Sequence, residues 1–220
     1  MDDEALVTTR IALHALAERV ISPLRVQATG NEIALEVRPR GFGTPELPGG
    51  GWVGISGTDV VRADAGGVEE RAPITTLRAA GEHVGLESAS ALPDDPLVVD
   101  AACAGVVAEA HERGDAALRA LLAEAGEDED PSEIHLWPEH FDIAIELGAD
   151  SARATYGVSP GDGDHPRPYA YVAPWSPVPA GWAAGDEAVG FTGAERPVQD
   201  VAAIVAFWLG RRAALRSAGT

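Results

Sequence analysis

The sequence predicts an α+β fold, built from mainly antiparallel sheet with helices packed on it at the N-terminus, in the centre and at the C-terminus. Three observations carry that expectation. Amphipathic helical periodicity opens and closes the 220-residue chain. Two separate runs of short alternating segments lie between. The order is helix, strands, helices, strands, helix, without the strict strand–helix alternation of a parallel doubly wound sheet. The length suits a single domain, with 1–92 and 93–220 as the two subdomains it would divide into if it divides.

The elements follow in order. Residues 3–21 place Leu6, Leu13, Leu16, Ala17 and Val20 on one helical face. Asp2 and Asp3 cap this helix, Pro23 ends it, and His14 sits beside the stripe as a partly buried packing residue. LRVQATGNEIALEV alternates on both sides of Gly30-Asn31, which predicts a hairpin with Leu24, Val26, Ala28, Ile33, Leu35 and Val37 on the inner face. RPRGFGTPELPGGG is dense in Gly and Pro and reads as a loop. It has neither GxGxxG nor GK[ST], so it is not a phosphate cradle. WVGISGTDVVRAD and GVEERAPI are strands joined by Ala65-Gly66-Gly67. ITTLRAAGEHV is a short helix capped by Thr75 or Thr76.

After LPDDP a longer helix is expected, capped by Asp94 or Asp95 with Pro96 in its first turn. Its stripe is Val99, Ala102, Cys103, Val106 and Ala110, and Gly114-Asp115 breaks or kinks it before Leu118, Leu121 and Leu122. Five acids between Glu124 and Asp130 form a solvated linker or, less readily, a site for a hard cation. FDIAIEL then sets Phe141, Ile143, Ile145 and Leu147 on one strand face and His140, Asp142, Ala144 and Glu146 on the other. ARATYGV, RPYAYVAPW and EAVGFTG supply further strands. A last helix over RPVQDVAAIVAFWLGRRAALR buries Val201, Ile204, Val205, Trp208 and Leu209, with Arg211, Arg212 and Arg216 near its end.

Composition narrows the functional classes. The formal charge is −19, from 35 acids and 16 bases, and every base is arginine. Phosphate backbones and anionic membrane surfaces are repelled, so neither nucleic acid nor membrane is expected as a partner. Without lysine there is no Schiff base and no phosphate-loop lysine. The N-terminus lacks the basic and apolar regions of a signal peptide, and no run spans a bilayer, so a soluble cytoplasmic protein is expected. The single cysteine, Cys103, lies in an apolar run and reads as a core residue.

The chemistry concentrates in two places. IHLWPEHFD brings His135, Glu139, His140 and Asp142 around Trp137-Pro138, where proline forces an edge or bulge. SPGDGDHPRPYAY brings Asp162, Asp164 and His165 ahead of Tyr169 and Tyr171. If the intervening strands are neighbours, the seven polar residues converge, rimmed by Trp137, Tyr169, Tyr171 and Trp175. Imidazole with carboxylate is a ligand set for Zn, Mn or Fe, although no HExxH spacing occurs. Three readings stay open: a pocket for a small molecule or divalent metal, a metal-dependent hydrolase, and a non-catalytic structural or partner-binding protein, including a homo-oligomer. The opposite reading of the 141–147 strand is a solvated polar sheet face.

HLWPEHFDIAIELG followed by YGVSPGDGDHPRPYAYVAPW resembles a group of uncharacterised bacterial proteins, mostly actinobacterial. In these an H-x-x-W/P…FD strand precedes a PxPY-type strand, giving a HLWPEHFD…SPGD…HPxPYxYV signature. The resemblance covers residues ~134–175 most clearly. It implies that these residues form a recurrent unit and carries no activity with it.

Overall fold

A computed structural model describes residues 2–31, 34–126, 128–178, 182, 193–198 and 200–218. The fold is α+β, with two antiparallel sheets and helices at both ends and in the middle. Its elements are α1 (Asp3–Leu16), a π turn (Ala17–Ile21), α2 (Ser22–Thr29), β1 (Glu36–Arg38), β2 (Gly41–Gly43), β3 (Trp52–Ser56), β4 (Asp59–Ala63), β5 (Glu69–Pro73) and α3 (Leu77–Val84). After these come α4 (Ala101–Ala123), β6 (His135–Trp137), β7 (Asp142–Leu147), β8 (Ala154–Ser159), β9 (Tyr169–Pro174), β10 (Ala194–Pro197) and α5 (Val201–Ala218). The sheets run β1-β2-β3-β4-β5 and β10-β9-β8-β7-β6.

The chain divides into two units, neither continuous in sequence. The first contains 1–109, 135–141 and 161–166; the second contains 110–134, 142–160 and 167–220. In the first, α1 starts from the Asp2 carboxylate, which accepts the Glu4 N–H at 3.2 Å. Leu6, Leu13, Leu16, Ala17, Val20, Ile21 and Leu24 line one side of its core. Phe42, Val53, Ile55 and Val60 of the sheet, with Leu77, Ala80 and Val84 of α3, line the other. Thr76 caps α3 by accepting the Ala79 N–H at 3.1 Å, as its sequence suggests.

Several local expectations are overturned here. Pro23 does not end the first helix. It stands in the first turn of α2, directly after the π turn, where a wider turn relieves the clash of its ring with the preceding carbonyls. The 24–37 hairpin does not form. LRVQAT is helical, and Gly30, at φ 73°, is its left-handed C-cap, with its N–H on the Val26 carbonyl at 2.7 Å. Gly-Asn marks a helix end as readily as a hairpin, and burial of Leu24 decided between them. The expected 38–51 loop contains β2, whose Phe42 is 1% exposed. The 94–100 stretch is not helical; Asp100 caps α4 instead, accepting the Cys103 N–H at 2.9 Å. The expected start of the last helix at Arg196-Pro197 is strand β10. The EAVGFTG strand falls on residues 187–193, all but the last outside the described residues.

In the second unit Ile143, Ile145 and Leu147 share one sheet face with Ala154, Tyr156, Val158, Ala170 and Val172, all at most 2% exposed. Phe141 does not continue that alternation. At φ 57° it lies in the left-handed region, before the strand begins. Nor is the other face a simple solvated one, because Asp142 and Ala144 are buried. Gly114 lies inside an unbroken α4. A Cβ there would stand 2.6 Å from Ile143 and 2.9 Å from Val158, so the glycine lets the helix approach the sheet rather than breaking it. Trp208 of α5 meets Tyr156 edge-on at 6.4 Å and donates its indole N–H to the Tyr171 carbonyl at 3.0 Å. On α5, Ile204, Phe207 and Trp208 are buried, while Val201, Val205 and Leu209 are half-buried.

Glu129 was expected in a solvated linker and is 3% exposed. Arg212 grips both of its carboxylate oxygens, Arg216 reaches Oε1 at 2.6 Å and the Gly126 N–H donates to Oε2 at 2.7 Å. Burial raises the Glu129 carboxyl, but the Arg212 bonds, the Gly126 N–H and Arg216 outweigh it and hold it at about 2. Among the described residues no helix is long and apolar enough to cross a membrane.

Two predictions follow from this packing. Gly114→Ala should destabilise the protein by roughly 1–3 kcal/mol through overpacking. Gly105→Ala, in the same helix with open space around it, should stabilise it by about 0.4–1 kcal/mol; urea unfolding of the two variants is the comparison. The second concerns acid. The Glu129 carboxylate is held below its ordinary value, so its contribution is complete above about pH 4.5 and fades as pH falls toward 2. Glu129→Gln should cost roughly 3–5 kcal/mol at pH 7, because Arg212 stays buried without its counter-charge. The deficit should shrink progressively when thermal unfolding is repeated below pH 4.5.

Candidate functional site in the first unit

Two turns of α1 present Val7, Arg10, Ile11 and His14, spaced i, i+3, i+4 and i+7 and therefore on one helical face. This stripe is distinct from the Leu6–Leu13–Leu16 stripe that enters the core. Together with His140, Phe141, Gly161, Asp162, Gly163 and Pro166 it surrounds a cleft of about 560 Å³. All of these residues belong to the first unit.

Arg10 builds the cleft wall. It is 6% exposed. Nη2 donates to the Asp162 carbonyl at 2.6 Å, and Nη1 donates to the His165 and Pro166 carbonyls at 3.2 Å each. A buried guanidinium needs such acceptors, and three from one short loop hold that loop against the helix. Gly161 is required at the same place. Its φ is 110°, and a Cβ there would overlap the guanidinium and stand 2.7 Å from the His165 carbonyl.

His14 forms a second wall. Its ring stacks on Phe141 with centroids 5.2 Å apart and planes 6° from parallel. Phe141 in turn meets Phe42 edge-on at 5.2 Å. The left-handed backbone at Phe141 is what turns this ring inward to the first unit. His14 Nε2 lies 3.0 Å from the Pro138 carbonyl and 3.1 Å from that of Glu139. Carbonyls only accept, so Nε2 carries the proton, and Nδ1 is an acceptor in the neutral ring and a donor in the cation.

On the loop, Asp162 Oδ1 accepts the Asp164 and His165 N–H groups at 2.8 Å each and faces His165 Nδ1 at 3.0 Å. The carboxylate thus orders its own turn and fixes Nδ1 as the protonated nitrogen of His165.

The seven polar candidates from the sequence fall into smaller groups. His140 and Asp162 line the cleft, His165 is bonded to Asp162, and Asp164 is exposed on the same turn. Glu139 is exposed and gives His14 its carbonyl. His135 is half-buried and stands edge-on to Trp137 at 5.7 Å. Asp142 belongs to the second unit, where it is 7% exposed and accepts the Tyr171 hydroxyl. That bond spans β8, because Tyr171 lies over Gly157, whose Cβ position its ring fills. Burial first, then Asp142, pushes the Tyr171 hydroxyl well above its ordinary value, so it stays a donor. Tyr169 is 6.2 Å from Tyr171. Trp175 is exposed, with Arg153 over its ring at 5.0 Å. Among the described residues no group of three or more His, Cys, Asp or Glu is arranged to hold a metal ion.

Val7, Arg10, Ile11, His14, Phe141 and Gly161 escape the sequence reading. For α1 a signal existed: a second stripe at helical spacing beside the core stripe. For Gly161 none did. No family model, curated protein or solved structure matches this chain.

Arg10→Met keeps the bulk of the side chain and removes its donors. Amides of residues 161–165 should then exchange hydrogen at least about tenfold faster, while those of α3 should be unchanged. Exchange mass spectrometry with peptide resolution measures both.

Proposed function

We propose that this protein binds a small organic molecule in the cleft between α1 and the 161–166 loop. The observation that carries this is the wall itself: a buried arginine, held by three carbonyls of one loop, keeps a cleft of about 560 Å³ open beside two imidazoles. Ligand sites of this kind are concave, mainly apolar and preformed, with few polar groups to orient the guest. Val7, Ile11, Phe141 and Pro166 supply the apolar surface, and Ile11 remains 61% exposed. An isoleucine on a cleft edge gains from being covered by a guest.

The run that resembles other bacterial proteins, residues ~134–175, includes both loop segments of the cleft, which supports a shared role for them. The net charge of −19 disfavours nucleic acid as the partner. The buried lone Cys103 suits a reducing cytoplasm. Hydrolysis has less support: the Asp162–His165 pair is oriented like a general base, but among the described residues the cleft lining includes no serine, threonine or cysteine.

The test is a fragment screen against ¹⁵N-labelled protein, using neutral, cationic and anionic monocyclic compounds. Binders should shift the amides of residues 7–14, 140–141 and 161–163, and Ile11→Asp should weaken them by at least about tenfold. Binders that map elsewhere, or that ignore the Ile11 change, would refute the assignment.

A further inference from the structure

We infer that the guest of this cleft carries a neutral hydroxyl on an apolar ring, and that His14 Nδ1 is the atom that receives it. The inference rests on the ligand-binding reading above and adds the chemical class of the guest. His14 lines the cleft and is half-buried. One face of its ring is stacked on Phe141 at 5.2 Å. Its Nε2 is held by the Pro138 and Glu139 carbonyls at 3.0 and 3.1 Å. The stack fixes where the ring lies, and the carbonyls fix its rotation within that plane. Nδ1 has no hydrogen-bond partner among the described residues. It is the polar atom that His14 keeps for a guest.

The fixed tautomer selects the guest. With a proton on Nε2, the ring presents at Nδ1 an acceptor when neutral and a donor when charged. A carboxylate only accepts and an ammonium only donates, so each suits one state of the ring. A hydroxyl does both through a single oxygen whose hydrogen rotates to suit. It therefore pairs with Nδ1 in either state. An amide divides the two roles between separate atoms and would have to turn over between them. The remainder of the wall favours a flat apolar body. Val7, Ile11, Phe141 and Pro166 line the cleft beside His14. Aromatic rings meet one another offset or edge-on, as Phe42 already meets Phe141 at 81°. A guest ring gains the same kind of contact with the His14–Phe141 pair while it covers Ile11.

The experiment compares phenol with toluene, which has the same ring and a methyl in place of the hydroxyl. Each is titrated into the full chain at about pH 7 and followed by the amide shifts of residues 7–14 and 161–163. Phenol should bind roughly threefold to tenfold more tightly, the worth of one net hydrogen bond. His14→Phe keeps a ring on Phe141 and removes both nitrogens. In that variant the preference for phenol should vanish, while toluene still shifts the same amides. A long-range ¹H–¹⁵N spectrum of the unaltered protein gives a readout that does not depend on how the variant folds. There His14 Nδ1 should move further with phenol than with toluene at equal occupancy. Three results would overturn the hydroxyl assignment and leave the cleft as a ligand site: phenol binding no tighter than toluene, a preference that survives His14→Phe, or an Nδ1 signal that responds alike to both probes. If neither probe and no fragment shifts those amides, both readings fall.

Discussion

The Arg10 guanidinium is the interaction on which the first unit turns. It reaches across more than 150 positions of sequence to bond three carbonyls of one six-residue loop. Placing a guanidinium 6% exposed is costly unless its donors are met. Carbonyl oxygens of the 161–166 loop meet them. The arrangement therefore has a structural consequence: the loop is fixed against α1. A methionine or leucine at that position could fill the same space, but it could hold no loop.

The same economy recurs in the second unit with opposite emphasis. There Glu129 is buried, with Arg212 and Arg216 around it. Charge meets charge, and the result is a closed joint between the 124–130 segment and α5. Tyr171 and Asp142 form another closed joint over Gly157. Neither group lines the cleft. Arg10 lines the cleft of the first unit, whereas these groups brace the fold of the second.

Much of the architecture was legible because hydrophobic period survives folding. The α1 core stripe, the Thr76 cap, strands β3 to β5 and the Ile143–Ile145–Leu147 face all follow from spacing alone. Failures cluster where one residue has two local meanings. Gly30 reads as a hairpin turn or a helix cap, Pro23 as a helix stop or a helix start, and Gly114 as a break or a close contact. Gly114 was decided by partners distant in sequence, Ile143 and Val158, whereas Pro23 and Gly30 were decided by the helix around them. The candidate site divides in the same way. His140, Asp162 and His165 stood out because their residue types carry chemistry. Arg10 did not, because an arginine in an N-terminal helix looks like any solvated charge until its acceptors are known. Phe141 looked like one more step of an alternation until its left-handed backbone turned the ring toward His14.

The discontinuity of the two units bears on how the chain acquires its structure during synthesis. The first unit needs residues 135–141 and 161–166 to be complete, so a ribosome must finish about three quarters of the chain before the Arg10 acceptors exist. Until then α1 carries an inward-facing guanidinium with its loop carbonyls not yet made. Structure that depends on such distant closure is reached late, because the entropy of a long loop is spent before the contacts repay it. A nascent chain of this protein would thus hold its core helices and first sheet early and gain its cleft last. Closure of the cleft becomes a report that translation has passed residue 166.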